Sequence, residues 1–357
     1  MEENEKYPWR FPAEWEDQRG VMLTWPHEDT DWAPMLNEVL ATYREIAKAI
    51  VNSRDLLYVV SCRPLEDNDV GTTVFSNIVC PTNDTWARDH GFLSLVRGDR
   101  NQEWSLDICF PSVKLLDYRF NGWGEKFPAE LDNAINRHFF EQHRSCKRHA
   151  EYVDHLDFVL EGGSIESDGQ GTIFTTSSCL LAPHRNEPMT REQIEERLKR
   201  DLCAKRVLWI DHGHLAGDDT DGHIDTLVRI APNDTLLYIG CDDPSDEHYD
   251  DLKAMEEQLR TFTTLDGRPY NLKKLPLPNP IYDDDGQRLP ATYANFLVLQ
   301  NSVLLPTYDQ YRNDKAAHRI LQECFPRRTI VEIDSRSLIR QHGSIHCCTM
   351  QFPRHFI

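Results

Sequence analysis

Four short segments of the chain place polar side chains directly beside glycines. They are residues 86–91, 160–163, 218–225 and 343–349, and each lies at the edge of a predicted strand. Glycine permits a sharp turn and lets a ligand approach the backbone closely, so polar groups at such turns suit the floor of a pocket. One such segment alone is more often a capped turn, but four in one chain favour a site.

Two of these segments supply a histidine, a carboxylate and a thiol. His223 and Asp225 stand two residues apart, and on a strand both side chains would face the same side. An imidazole beside a carboxylate can act as a general acid and base. Cys347 would be the nucleophile, because a neighbouring cationic histidine lowers the pKa of a thiol. The alternatives are a surface histidine beside a capping aspartate and a buried structural thiol.

The elements that would position these groups alternate along the chain. Apolar residues at helical spacing predict an amphipathic helix over residues 36–50. Short apolar runs predict strands at residues 56–60, 92–96, 171–176, 226–230, 235–239, 296–299 and 302–305. We expect a hairpin between the fourth and fifth of these strands, a second hairpin between the last two, and polar helices near residues 190–202, 245–261 and 313–324. The pattern indicates a mixed α/β fold in a single domain over residues 1–357.

The composition favours a cationic ligand and excludes several classes of protein. The 357 residues carry 59 acidic against 39 basic side chains, a formal net charge of -20, which repels nucleic acid and anionic membranes. The 10 cysteines form no Cys-x-x-Cys pair, so a zinc ribbon or a thioredoxin-type motif has no support. The N-terminus is polar and no apolar stretch approaches membrane-spanning length, which predicts a cytoplasmic protein with reduced thiols.

The same polar segments resemble the signature blocks of the agmatine deiminase family, which also contains a bacterial peptidylarginine deiminase branch. The blocks are Trp86-Ala-Arg-Asp89-x-Gly91, Glu161-Gly-Gly163, Gly217-Asp-Asp-Thr-Asp-Gly-His223-Ile-Asp225-Thr226 and His346-Cys347-x-Thr349-x-Gln351, preceded by Phe11-Pro-Ala-Glu-Trp-Glu16 and Thr24-Trp-Pro-His27. They occur in family order from residue 11 to residue 351. The resemblance implies the pentein fold, an α/β propeller of repeated ββαβ units around a pseudo-fivefold axis with a central active site.

The resemblance also implies a role for each residue of the site. Cys347 would be the nucleophile and His223 the acid and base, while Glu161 and Asp225 would clamp a guanidinium group. The further residues expected to bind the substrate are Asp89, Trp86, Asp219 and Gly343. No metal or organic cofactor is implied. The expected partner is a small cationic guanidine, agmatine first, with no nucleic acid and no membrane; a homodimer is left open.

Three positions depart from the family pattern, and several alternatives stay open. His342, Ser344 and His90 replace the family's usual residues at the pocket mouth, so they bear on the substrate more than on the reaction. Peptidyl-arginine or free arginine would be the alternative substrates. A binuclear-metal ureohydrolase would instead use residues 221, 223 and 225 as an Asp-x-His-x-Asp metal run. A non-catalytic polyamine-binding protein is the remaining alternative.

Overall fold

The computed structural model describes residues 8–98, 112–143 and 150–356, and within these ranges the strands form five small sheets. The first sheet contains β1 Trp9–Arg10, β5 Leu93–Arg97, β6 Val113–Arg119 and β7 Ala150–Val159. The next three contain β8 Ile165–Ser167, β9 Thr172–Thr176 and β10 Arg206–Ile210; β11 Val228–Ala231, β12 Thr235–Gly240 and β13 Asn271–Pro276; and β14 Leu297–Val298, β15 Ser302–Thr307 and β16 Thr329–Asp334. The fifth combines β17 Thr349–Pro353 with β2 Gln18–Thr24, β3 Leu56–Ser61 and β4 Ser76–Val79.

Every sheet repeats one unit of two antiparallel strands followed by a helix and a parallel strand. The antiparallel pairs are β5 with β6, β8 with β9, β11 with β12, β14 with β15 and β17 with β2. The parallel partners are β7, β10, β13, β16 and β3. In each unit a helix leads from the antiparallel pair to the parallel strand. In chain order these helices are α1 Leu36–Asn52, which leads to β3, α2 Ile135–Gln142, α3 Arg191–Asp201, α4 Tyr249–Leu259 and α5 Tyr311–Cys324. The mixed α/β class and the repeated ββαβ rhythm are thus observed, and both predicted hairpins are confirmed.

One predicted strand begins in the wrong place, at the segment that carries the histidine. The chain forms a 3-10 turn at Ile224–Thr226, and the strand begins only at Val228. Backbone bonds from Thr226 N to His223 O and from Leu227 N to Ile224 O close this turn, and the Thr226 hydroxyl donates to the same His223 carbonyl. His223 and Asp225 therefore do not share a strand face; a tight turn presents them.

The core forms where apolar faces of helices and strands meet. In α1 the residues Val39, Tyr43, Ile46 and Ile50 are fully buried, as their helical spacing predicts, and they belong to one cluster with Val21 and Leu57 of the fifth sheet. Similar clusters lie under the other sheets. Among the described residues no helix is both long and apolar enough to cross a membrane.

We expect Phe352→Ala to destabilise the fifth sheet strongly. Phe352 is fully buried on β17, stacks on Phe139 and Phe356, and meets Tyr58 of β3 edge-on. Removing the ring leaves a cavity, so the free energy of unfolding should fall by about 3–5 kcal/mol in urea denaturation. Tyr282→Ala, at a residue 57% exposed, is the control and should cost less than about 0.5 kcal/mol. A similar small loss in both variants would show that β17 is not part of the core.

Candidate active site

The polar residues of interest lie on the connections between successive sheets. Five segments lead from the last strand of one sheet to the first strand of the next, and we call them the inter-sheet connections. They are residues 80–92, 160–164, 211–227, 277–296 and 335–348. Each contributes a buried polar side chain to one place: Asp89, Glu161, His223 with Asp225, Asn295 and Cys347. Five regular units therefore supply the frame, and their irregular connections supply the chemistry.

Gly163 shows how closely three of these side chains meet. A Cβ atom at this glycine would lie 2.6 Å from Nδ1 of His223, 2.8 Å from Oδ1 of Asp89 and 3.2 Å from Oδ2 of Asp225. The backbone N–H of Gly163 donates to Oδ1 of Asp89 at 3.0 Å. Any larger residue would push the imidazole and the carboxylates apart, so this position requires glycine.

Asp89 is held by a tryptophan on a strained turn. The indole Nε1 of Trp123 donates to Oδ2 of Asp89 at 3.0 Å. Trp123 has a φ of 56° between Gly122 at 67° and Gly124 at 85°, a left-handed run that costs energy at a bulky residue. Burial raises the pKa of Asp89, and the nearby charge of Asp225 adds to the rise, against the opposite pull of His223. Trp123 was not predicted from the sequence.

His223 lies among negative and polarisable groups. Its Nδ1 is 3.7 Å from Oδ1 of Asp89, and the ring is fully buried. Burial alone would lower the pKa of His223, but Asp89, Cys179 and Glu161 together raise it well above the ordinary value. The imidazole is therefore held in its cationic form and can donate a proton at neutral pH.

Glu161 and Asp225 each keep one carboxylate oxygen without a partner. Oε1 of Glu161 accepts from Nε of Arg185 at 2.7 Å, and Oδ2 of Asp225 lies 2.7 Å from Nδ1 of His346. Oε2 of Glu161 and Oδ1 of Asp225 have no hydrogen-bond partner among the described residues, although both side chains are fully buried. Unsatisfied buried acceptors are costly, and a ligand with several N–H donors would satisfy them.

His346 links the site to a buried charge network that sequence reasoning did not find. Its Nε2 lies 2.8 Å from Oε2 of Glu14, which also accepts from Arg229, and Arg229 in turn binds Glu166. Burial opposes the charged form of Asp225, but the hydrogen bond from His346 outweighs it and lowers the pKa of Asp225. Both Glu14 and His346 stand in the motif blocks, which was the available signal.

The thiol of Cys347 is fixed by an asparagine. Oδ1 of Asn295 accepts from the backbone N–H groups of His346 and Cys347, which leaves its Nδ2 to donate to Sγ of Cys347 at 3.2 Å. Sγ is 3.7 Å from Oδ2 of Asp225. Asn295 was not predicted from the sequence. Its position just before the first strand of a unit is the only feature that distinguishes it there.

The predicted lowering of this thiol's pKa by a histidine is wrong. Burial and the charges of Asp225 and Asp89 raise the pKa of Cys347 well above its ordinary value. The thiol is therefore protonated at neutral pH. Cys348 points elsewhere, since it is fully buried and its thiol contacts the Tyr43 hydroxyl, and both cysteines lie on a turn rather than on an extended segment.

Trp86 and Gly343 form one wall. A Cβ atom at Gly343 would lie 2.2 Å from a ring carbon of Trp86, so the glycine backbone is pressed against the indole. Trp86 is 5% exposed and packs on Trp32 with ring centroids 5.6 Å apart. The two residues therefore lie together on the connections that carry Asp89 and Cys347, as a pocket wall requires.

The three aspartates at residues 218–221 make different contacts. Asp218 turns its carboxylate onto its own loop, where it accepts from Thr220 and from Gly222 N. Asp221 binds Lys126 at 2.8 Å and Arg185 at 2.7 Å, so it does not join His223 and Asp225 as the metal run of a ureohydrolase would require. Asp219 alone keeps a half-exposed carboxylate, 3.7 Å from Nε2 of His342.

Two buried groups of side chains have metal-ligand spacing within the described ranges. One contains Glu14, Glu166 and His346, whose atoms are already engaged with Arg229 and Asp225. The other contains Glu161, Cys179 and His223, whose ligand atoms lie within 4.8 Å of one another.

The fold and the site define a known class of protein. Residues 10–353 match the pattern of the Porphyromonas-type peptidyl-arginine deiminase family. The chain belongs to this family, and the membership predicted from the sequence is confirmed.

Individual relatives cover nearly the whole chain. The structure of C. jejuni agmatine deiminase with substrate bound is 35% identical over 98% of this chain and 97% of that chain, with a TM-score of 0.86. A Porphyromonas gingivalis structure, named "Putative Arginine Deiminase", is 44% identical over 98% of this chain and 99% of that chain, also with a TM-score of 0.86. A Photobacterium profundum protein, named "Putative agmatine deiminase", is 32% identical over 97% of this chain and 96% of its own length.

We expect His346→Ala to destabilise the protein, because it leaves Oδ2 of Asp225 buried without its hydrogen-bond donor. The free energy of unfolding at pH 7 should fall by about 3–5 kcal/mol. The difference from wild type should shrink as the pH falls toward the lowered wild-type pKa of Asp225, because the variant lacks the hydrogen bond that lowers this pKa and its carboxylate is protonated first. His318→Ala is the control, since His318 binds Glu332 at a site about one-third exposed and should cost under about 1 kcal/mol. Equal losses in the two variants would contradict the network.

A second prediction concerns the reactivity of Cys347. Neutral iodoacetamide should label this thiol slowly at pH 7 and about tenfold faster for each added pH unit below its raised pKa. Asp225→Asn removes one cause of the raised pKa, so labelling at pH 7 should accelerate by about tenfold or more. Asp334→Asn, at a carboxylate that is 52% exposed, should leave the rate unchanged. Peptide mass spectrometry reports the rate, and fast labelling of wild type at pH 7 would refute the assignment.

Proposed function

We propose that this protein hydrolyses agmatine to N-carbamoylputrescine and ammonia through a covalent intermediate on Cys347. The observation that carries the proposal is the pair of orphaned oxygens, Oε2 of Glu161 and Oδ1 of Asp225, buried beside a thiol. A guanidinium ion is planar and always charged, and its N–H groups can satisfy carboxylates in bidentate fashion. Bound in this way, its carbon would face the sulfur.

The bound cation would also activate the nucleophile. Burial and the charges of Asp225 and Asp89 raise the pKa of Cys347, and a guanidinium placed between these carboxylates and the thiol would offset the part that is due to charge. The proton of Sγ would pass to solvent water, while Nδ2 of Asn295 donates to the thiolate. Nucleophile and substrate would thus become reactive only together.

The chemical steps follow from this arrangement. The thiolate attacks the guanidinium carbon, and the tetrahedral adduct expels ammonia as the imidazolium of His223 gives up its proton. An amidino-thioether on Cys347 remains. Water then attacks that carbon and the neutral imidazole of His223 accepts one proton of the water. The carbon–sulfur bond breaks to release the ureido product, and the remaining hydroxyl proton passes to the departing sulfur, which restores the thiol. Asp89 supports the cationic form of His223 at the start of the cycle.

The choice of agmatine rests on which charges remain available at the pocket mouth. Free arginine carries a carboxylate that needs a cation, but Lys126 is engaged by Asp221 and by the Asp219 carbonyl, and Arg185 by Glu161 and Asp221. The Asp219 carboxylate is half-exposed, and we propose that it receives the primary ammonium of agmatine. Relatives that bear the name agmatine deiminase support this choice; the Porphyromonas relative named as an arginine deiminase supports the alternative.

The same site supports the pentein arrangement of five units around a pseudo-fivefold axis. Each inter-sheet connection brings at least one polar residue to a common place, and β17 pairs with β2 so that the last unit is completed by the first strands. A central active site among five units accounts for both observations.

We expect EDTA-treated protein to release ammonia and N-carbamoylputrescine in equal amounts from agmatine, with kcat/KM highest for agmatine among agmatine, free arginine and an arginine peptide. Cys347→Ser should abolish turnover, since a hydroxyl is a far weaker nucleophile than a thiolate. Cys348→Ser is the matched control and should retain most activity. Urea as the product would contradict the deiminase reaction. A higher kcat/KM for arginine would contradict the choice of agmatine as substrate but not the reaction. Turnover by Cys347→Ser would contradict only the assignment of Cys347 as the nucleophile.

A further inference from the structure

The proposed reaction leaves one buried thiol beside the catalytic histidine without a role. Cys179 is fully buried in the short helix Ser177–Leu180, which follows β9 directly and is capped by Thr176. The thiol contacts His223, and its Sγ, a ring nitrogen of His223 and a carboxylate oxygen of Glu161 lie within 4.8 Å of one another. The three residues come from three different segments, so the fold itself brings their ligand atoms together.

These three atoms form a donor set that suits zinc. Thiolate sulfur, imidazole nitrogen and carboxylate oxygen are the ligands that Zn²⁺ takes in proteins, commonly three from the chain with water in the fourth position. Tetrahedral bonds of about 2.0–2.3 Å place ligand atoms roughly 3.3–3.8 Å apart. The three ligand atoms lie within 4.8 Å of one another, so they would have to approach by at most roughly 1.5 Å to reach that spacing. Soft thiolate sulfur also disfavours magnesium and calcium.

A second observation shows that this group can accept an ion. Oε2 of Glu161 is buried and has no hydrogen-bond partner among the described residues, because Arg185 engages only Oε1. Asp89 lies beside His223 and adds negative charge that offsets the nearby Arg185. The other group with metal-ligand spacing, Glu14, Glu166 and His346, has no such free carboxylate, because Arg229 already pairs with both Glu14 and Glu166.

We propose that Glu161, Cys179 and His223 form an inhibitory binding site for Zn²⁺. The ion displaces the proton of the Cys179 thiol, binds the sulfur and the imidazole, and takes the free oxygen of Glu161. Because the same oxygen and imidazole serve the guanidinium, zinc and substrate exclude each other. Zinc binding stands on the geometry alone, whereas its inhibitory effect rests on the proposed function.

Binding is tested without turnover by using the Cys347→Ser variant. Metal-stripped protein is titrated with Zn²⁺ against a chromogenic chelator, and with Co²⁺ to detect thiolate-to-cobalt charge-transfer absorption. We expect one equivalent to bind, with the absorption present in wild type and in Cys347→Ser. Cys179→Ser should lose the absorption and bind zinc at least about 100-fold more weakly, because a direct ligand contributes more than the supporting residues whose loss costs 10–100-fold. Cys348→Ser, another fully buried cysteine, is the matched control and should bind normally.

Two results would overturn the proposal: no zinc bound by wild type, or an absorption that persists in Cys179→Ser and disappears in Cys347→Ser, which would place the metal on the nucleophile. Circular dichroism and thermal unfolding establish that Cys179→Ser is folded, and Cys179→Ala serves in its place if it is not.

Kinetics test the inhibitory part separately. Zinc should raise the apparent KM for agmatine without lowering kcat, EDTA should reverse the effect, and Cys179→Ser should need at least about 100-fold more zinc for the same inhibition. Inhibition that agmatine does not relieve would overturn the competition. If wild type does not turn over agmatine but still binds zinc through Cys179, the proposed function fails and the metal site stands.

Discussion

Burying several carboxylates in one place is the constraint on which the whole site depends. Like charges in a low dielectric repel strongly, and each must be offset by a cation or a hydrogen bond if the chain is to fold. Three ion pairs do this: Glu161 with Arg185, Asp225 with His346, and Glu14 with Arg229. The compensation is incomplete on the side of the thiol, where two oxygens lack a donor. These two oxygens carry the proposal that the pocket binds a cation.

The division between regular units and irregular connections explains how such a site can be held rigidly. Three apolar clusters hold the sheets and helices together, and each cluster is shared by more than one unit. Turn geometry fixes the side chains of the connections where they carry function, as at Gly163 and in the 3-10 turn after His223. Side chains that meet in this way gain their precision from five neighbours rather than from one loop.

The repeated ββαβ order and the residues with distinctive chemistry could be predicted from the sequence, because local periodicity and glycine-flanked polar motifs can be recognised in short stretches of it. Other features depend on contacts that no local pattern encodes. Glu14 and His346 are 332 positions apart, and Asn295 is a common residue type in an apolar context. The sign of the pKa change at Cys347 also required the structure, since it follows from which carboxylates approach the buried sulfur and not from the presence of a histidine.

The pairing of β17 with β2 has a consequence for the order in which the protein forms. Thr349 aligns with Leu23 across this ladder, so the two strands are separated by almost the entire chain. A ribosome releases β2 early and β17 late, and long-range strand pairing is slow even in a free chain because of its loop-closure entropy. The four other units can assemble during synthesis, whereas the fifth must wait with one edge unpaired. Cys347 precedes β17 directly, so the anionic pocket is built first and the thiol enters it with the final strand.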